Sequence, residues 1–277
     1  MNVVFAKKLC ELNNLFYRNQ AVSFSDTRHA KWPGWERCLA EAITVFKDKQ
    51  DLHVLDVACG NLRFEEYLAS YCESSSMNLH VSVHALDACD DLLPDICEGT
   101  TNVHCDMEVI YTRCDIIQEL ADNTFKDVLA SEGPNKEFAD LAVAFGFMHH
   151  IPLPEWRLQL LNDMISATAP GGFVCVSFWR FMDDEGMAVK ARKTHEEALA
   201  YYSQELNSTQ QFNEGDYLLG WRNTPGAYRY CHSFSDEEID FLAASVADRA
   251  ECSARFRADG RTGSLNEYLV LRVLLSS

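Results

Sequence analysis

HVLDVACGNLRFEEYL, His53 to Leu68, is the stretch on which the reading of the fold turns. Val54, Leu55 and Val57 make an apolar run suited to a strand buried on both faces, and Phe64, Tyr67 and Leu68 recur at helical spacing after the turn Ala58-Cys59-Gly60-Asn61. Strand, tight turn and helix in that order place the turn at the carboxyl end of a parallel strand. There, loops and helix N-termini converge and leave backbone N–H groups unpaired, which suits a ligand. Taken alone, the segment also fits an ordinary βα turn.

Outward from this segment, strand and helix signals alternate. On the N-terminal side, Val4, Leu9, Leu12, Leu15 and Phe16 recur at helical spacing, and a second helix is expected from about Glu36 to Phe46 after the Trp32-Pro33-Gly34 break. On the C-terminal side, LHVSVHALD ends at Asp87 and VIYTRCDIIQEL places Asp115 after a weaker third strand. ADLAVAFGF then runs into MHHIP. The stretch WRLQLLNDMISATA reads as a helix stopped by Pro170-Gly171-Gly172, and GGFVCVSFW as the fifth strand. Residues from about 183 to 226 carry a charged helix and a polar, aromatic loop, the form of a lid or substrate platform. Ser235 and Glu238 form a capping box, and CSARFRA and NEYLVLRVLL an antiparallel pair.

The expected architecture is therefore α/β: a seven-stranded, mostly parallel, doubly wound sheet with a cap segment inserted after the fifth strand. Its parts are N-terminal helices over the ligand mouth (1–50), a core (51–182), the inserted cap (183–234), and a C-terminal helix with the strand pair (235–277).

The chain has 277 residues with 42 acids and 24 bases, a net charge of −18. Such a surface disfavours nonspecific binding to DNA or to an anionic membrane, although it permits a local basic groove. The 11 cysteines are scattered without a C-x-x-C, so neither a zinc site nor a disulfide framework is expected. No apolar run is long enough for a membrane span or a signal peptide, so a soluble, cytoplasmic protein is expected.

D-x-A-C-G-N resembles motif I of the class I S-adenosylmethionine (SAM) methyltransferases, D/E-x-G-x-G-x-G, with Ala58 and Leu62 in place of two glycines. The resemblance extends over the five strand-helix steps and the terminal strand pair. It implies that Asp56, Ala58, Gly60 and Asn61 border SAM, that Asp87 meets the ribose hydroxyls and Asp115 the adenine amino group, and that Phe145 and Phe147 line the cofactor. A capping or solvated role is the alternative for each acid.

Read with its flanks, the chain resembles more closely the tRNA wobble-uridine carboxymethyl methyltransferases. The strings concerned are FSDTRHAKWPGW, LDVACGN, FMHHIP with Arg157, GDYLLGW and YRYCHSF. Leu153-Pro154 and motif I depart from that family's pattern. The resemblance implies a tRNA acceptor and a small zinc-binding activator subunit, with a small-molecule acid or phenol as the alternative acceptor and a noncatalytic partner protein as the alternative role. A carboxylate acceptor is already ionised and needs no base, only donors that place it in line with the methyl group. Arg28, His149, His150, Arg229 and His232 are the candidate catalytic residues, with Tyr228, Tyr230 and Trp221 as stacking surfaces. Each could instead be structural: a capping arginine, satisfied core histidines, or one face of a buried strand. No metal is expected, because no third ligand is spaced near the two histidines.

Overall fold

A computed structural model describes residues 1–27, 30–47, 49–77, 79–93, 106–131, 138–203, 206 and 212–275. Its central strand, β1 (Asp51–Val57), pairs in parallel with β2 (His80–Asp87) on one side and β4 (Ala139–Ala144) on the other. The sheet continues through β3 (Asp106–Arg113) at one edge and through β5 (Thr168–Trp179), β9 (Asn266–Val273) and β8 (Ala250–Ala258) at the other, in the order β3-β2-β1-β4-β5-β9-β8. Only the pairings made by β9 are antiparallel. This is the expected seven-stranded sheet.

Strand periodicity divides the core into two layers. Leu52 and Val54 point to the face covered by α2 (Pro33–Phe46) and α3 (Arg63–Ser74), where they join Leu39 and Leu68. Leu55 and Val57 point to the opposite face, against Leu120 of α4 (Ile116–Asp122), Leu160 of α6 (Pro154–Ala167) and Leu242 of α8 (Asp236–Ser245). Covering both faces explains the unbroken apolar run. A further helix, α5 (Phe125–Ser131), packs on α6. The capping box of α8 is formed as expected, with Ser235 and Glu238 exchanging hydrogen bonds.

Two boundaries differ from the sequence expectation. The second helix starts at Pro33, whose missing N–H costs nothing in the first turn. β5 begins at Thr168, so Pro170 and Gly171 lie inside a strand whose register shifts there. The inserted segment holds the expected helix, α7 (Glu185–Tyr201), and a separate antiparallel pair, β6 (Asp216–Gly220) and β7 (Tyr228–His232), of which the sequence suggests only the alternation in β7. Beside it lies α1 (Val3–Ser25), whose buried Asn13 accepts from Tyr230 N at 2.7 Å and donates to Tyr230 O at 3.1 Å. That side chain pairs with β7 as a neighbouring strand would. Among the described residues no helix is long and apolar enough to cross a membrane.

The turn after β1 is left-handed at every second residue: φ is 64° at Ala58, 59° at Gly60 and 58° at Leu62. These are the three glycine positions of motif I. Leu62 is the N-cap of α3, with its side chain in the core. A Cβ in this region costs roughly 1–2 kcal/mol per residue. Ala58→Gly is expected to raise stability by about 0.5–1 kcal/mol, because strain relief exceeds the added freedom of the unfolded chain. Leu62→Gly is expected to lower it, since losing a buried leucine outweighs the same relief by about 1 kcal/mol or more. Urea unfolding of the two variants checks both signs.

Candidate functional site

At the carboxyl ends of β1 to β4 lies a cavity of about 770 Å³, the size range of small-molecule sites. One end is built by the strand-end turns. Asp87 accepts from Gly60 N at 2.9 Å through Oδ2 and from Cys89 N at 2.9 Å through Oδ1, so one carboxylate ties the first two turns together. Burial pushes its pKa up, against the pull of these N–H groups. Asp115 caps α4 by accepting from Gln118 N at 3.1 Å, and its Oδ2 accepts from Asn14 Nδ2 at 2.9 Å. Ala58, Asn61, Phe145 and Phe147 also line this end.

These residues fit an adenosine-type cofactor. A Cβ built on Gly60 would meet nothing within 4 Å, so the backbone there opens on free space. Each carboxylate oxygen of Asp87 retains capacity for a further donor. Gly60, Asp87 and Asp115 are thus the groups that would hold such a ligand.

The other end is aromatic and cationic, lined by Tyr17, Phe24, His149, His150, Trp179 and Arg229. The Arg229 guanidinium lies 5.1 Å from the ring of Phe16, 5.3 Å from Phe24, 5.4 Å from Trp221 and 6.0 Å from Trp179. It is 6% exposed, and its Nε and Nη1 have no hydrogen-bond partner. Burial works against its charge, but Tyr17 and Cys231 more than offset this and its pKa is raised. His150 Nε2 lies 2.8 Å from the Tyr17 hydroxyl, and Nδ1 lies 3.2 Å from the Tyr230 carbonyl. His149 packs between the His150 and Trp179 rings.

His149, His150 and Cys231 bring ligand atoms within 4.8 Å of one another, so the tertiary structure supplies the third donor that sequence spacing did not show. The trio does not suit a metal ion. Both nitrogens of His150 are engaged, and a dication there would meet the buried charge of Arg229.

Two of the expected site residues lie away from the cavity. Asp56 points into the α2/α3 layer, 2% exposed, against Glu65 of α3, 3% exposed. Two buried carboxyls in contact need a proton between them, and burial pushes Glu65 up to about 7. His232 is buried between Asp216 (Nδ1 to Oδ1 2.7 Å) and Glu238 (Nε2 to Oε1 2.9 Å), and Arg157 closes the group at 3.3 Å from Glu238. It joins β6, β7 and α8. Arg28 lies outside the described residues. Conversely, Asn13, Asn14 and Tyr17 of α1 reach the cavity without having been singled out. The signal for Asn13 was a polar residue inside the helix's apolar stripe, between Leu9 and Phe16.

No family model and no curated protein matches the sequence. Solved structures do. A SAM-dependent methyltransferase from Methanosarcina mazei aligns with TM-score 0.53 and 17% identity over 84% of this chain and 98% of its own. A DhpI-SAM-HEP complex aligns with TM-score 0.53 and 16% identity over 95% and 97%. A SAM-dependent methyltransferase from Clostridium acetobutylicum gives 0.51 and 10% over 93% and 99%. The chain thus has the class I methyltransferase fold.

The Asp56–Glu65 pair makes stability depend on pH. Both carboxyls of the folded pair hold protons above the ordinary carboxylate range, where the unfolded chain has released them, so stability is expected to fall as pH rises from that range through about 7. Glu65→Gln should flatten that slope, which thermal unfolding at several pH values would show.

Proposed function

We propose that this chain is a SAM-dependent methyltransferase whose acceptor is a small anionic molecule. The observation that carries the acceptor class is Arg229: a nine-tenths buried guanidinium on the cavity lining, ringed by Phe16, Phe24 and Trp221 and without a carboxylate partner among the described residues. An acid group entering the cavity would supply the counter-charge that this guanidinium lacks. The fold supports the cofactor, as do Gly60, Asp87 and Asp115 at the strand ends. SAM would supply an electrophilic methyl group on a sulfonium. Asp87 and the left-handed turn would fix its nucleoside end, while Phe24 and Trp179 would exclude water around the acceptor.

The bases that an RNA enzyme of this charge would need on one face are dispersed. Arg180 is buried in ion pairs with Asp183, Asp236 and Glu267, at 2.9, 2.8 and 2.8 Å. Lys190, Arg192 and Lys193 lie on α7, and Arg222 follows β6. A second reading, a carboxymethylated wobble uridine on tRNA, draws support from Arg18, Lys31, Arg63 and Arg113 around the cavity and from the motif strings shared with that family.

Calorimetric titration with S-adenosylhomocysteine is expected to show binding, weakened at least tenfold by Asp87→Ala. Incubation with labelled SAM beside total RNA and a small-metabolite extract separates the two acceptors. Label in the metabolite fraction is expected, lost in Arg229→Met while S-adenosylhomocysteine binding stays within about twofold. Label in RNA would instead support the second reading.

A further inference from the structure

The turn that lines the nucleoside end of the cavity is backed by two buried carboxyls that no step described above uses. Asp56 belongs to the end of β1 and Glu65 to the first turn of α3, and the residues between them that form the turn, Ala58 to Asn61, line the cavity. The two side chains meet in the layer behind the turn, both buried. Beside Asp56 in the sheet register stand Ala85 of β2 and Val143 of β4, both apolar. The titratable groups facing the pair are Asp87 from β2, Glu66 from α3 and Cys59 from the turn, and no cation is among them. Glu65 has only the N–H of its own backbone to set against Asp56. Cys59 lines the cavity and is acted on by Asp56, Glu65 and Asp87 together, which push its thiol up. The field of the pair therefore reaches the cavity wall.

We infer that the Asp56–Glu65 pair selects the cofactor by charge: it releases a proton to water when the cationic methyl donor occupies the cavity, and takes one back when methyl transfer leaves the neutral thioether. The inference rests on the methyltransferase reading and adds to it a preference for donor over product. SAM carries one net positive charge, from its sulfonium and ammonium groups less its carboxylate, whereas S-adenosylhomocysteine carries none. A positive charge in the cavity favours the ionised pair, and by linkage the ionised pair binds the cation more tightly by the same factor. An acid in its ordinary range would be ionised at neutral pH already and would have no proton to exchange. Burial holds Glu65 at about 7, where a nearby charge tips it either way. Neither acid touches the reacting atoms, so both are specificity residues acting through the turn.

Titration calorimetry of the full chain without acceptor, in two buffers of different ionisation heat, counts the protons directly. With a tenfold preference of the cation for the ionised pair, SAM is expected to release about half a proton at pH 6.5 and S-adenosylhomocysteine almost none. From about pH 5.5 to about pH 7, below the range in which a ligand α-amine titrates, the Kd for SAM should fall about fourfold while that for S-adenosylhomocysteine stays level. Glu65→Gln keeps the side chain's size and should abolish both the release and the trend, with S-adenosylhomocysteine binding within about twofold. Infrared difference spectra of the unaltered chain read the same event without a substitution: SAM should bleach a protonated-carboxyl C=O band, and S-adenosylhomocysteine should not. Equal proton release with the two ligands, or no carboxyl band lost on SAM binding, would overturn the inference. So would release that persists in Glu65→Gln, which would assign it to His149 or His150 at the acceptor end. Failure of both ligands to bind would instead remove the methyltransferase reading beneath it.

Discussion

The cavity exists because the chain leaves β1 through a left-handed turn at 58, 60 and 62, and that turn is held by Asp87. Two of the three residues carry side chains that oppose this backbone, so the conformation needs support from outside. Leu62 supplies part of it by burying its side chain between α3 and the sheet. The rest comes from β2, where the Leu86 carbonyl accepts from Cys59 N at 3.0 Å and the Asp87 carboxylate accepts from Gly60 N. A hydrogen bond to a buried charge contributes about 1.5–3 kcal/mol, enough to offset the strain at one such residue. Glycine at 58 and 62 would make the turn easier; ties to β2 make it possible without them.

The second support is α1, which touches both ends of the cavity within one turn of helix. Asn14 reaches Asp115 at the nucleoside end, while Asn13 and Tyr17 reach Tyr230 and His150 at the acceptor end. Ser23 extends the contact by accepting from Trp221 Nε1 at 2.9 Å. The inserted segment therefore docks on the helix preceding the sheet, and the acceptor chamber is formed where the two meet. Arg229 is buried by this docking: Phe16 and Phe24 come from α1, Trp221 from the segment after β6.

Electrostatics in the core follow the same division of labour. The acids that the fold isolates from solvent pair with cations, as Glu267 does in the Arg180 cluster, accept from amide donors, as Asp259 does from Gly34 N and Asn266 Nδ2, or are held protonated by burial, as Asp56 and Glu65 are. Asp216 and Glu238 hold His232 and Arg157 in a closed group behind β7. Arg229 differs from these: it lines the cavity, and its guanidinium faces rings instead of carboxylates. In a chain of net charge −18 this contrast marks the place where an anion is accommodated.

The sequence by itself determined the layers and their order. Val54, Leu55 and Val57 could satisfy only a strand covered on both faces, and Ser235 with Glu238 could hardly be anything but a helix start, because period and capping chemistry are local properties. It also indicated Gly60, Asp87 and Asp115 as neighbours of one cavity, since strand ends in a parallel sheet converge wherever the strands pair in order. Tertiary structure alone decided which way each polar side chain faces. Asp56 and His232 looked like site residues, yet strand parity turns the first toward Glu65 and a second sheet encloses the other between two acids. Asn13 and Tyr17 lie 137 and 133 positions before His150, and Cys231 of β7 lies 81 after it; they meet through docking that no local pattern encodes. Layers follow from periodic burial of apolar surface; a site depends on where separate elements place a few hydrogen-bonding atoms, and that is set only when they pack.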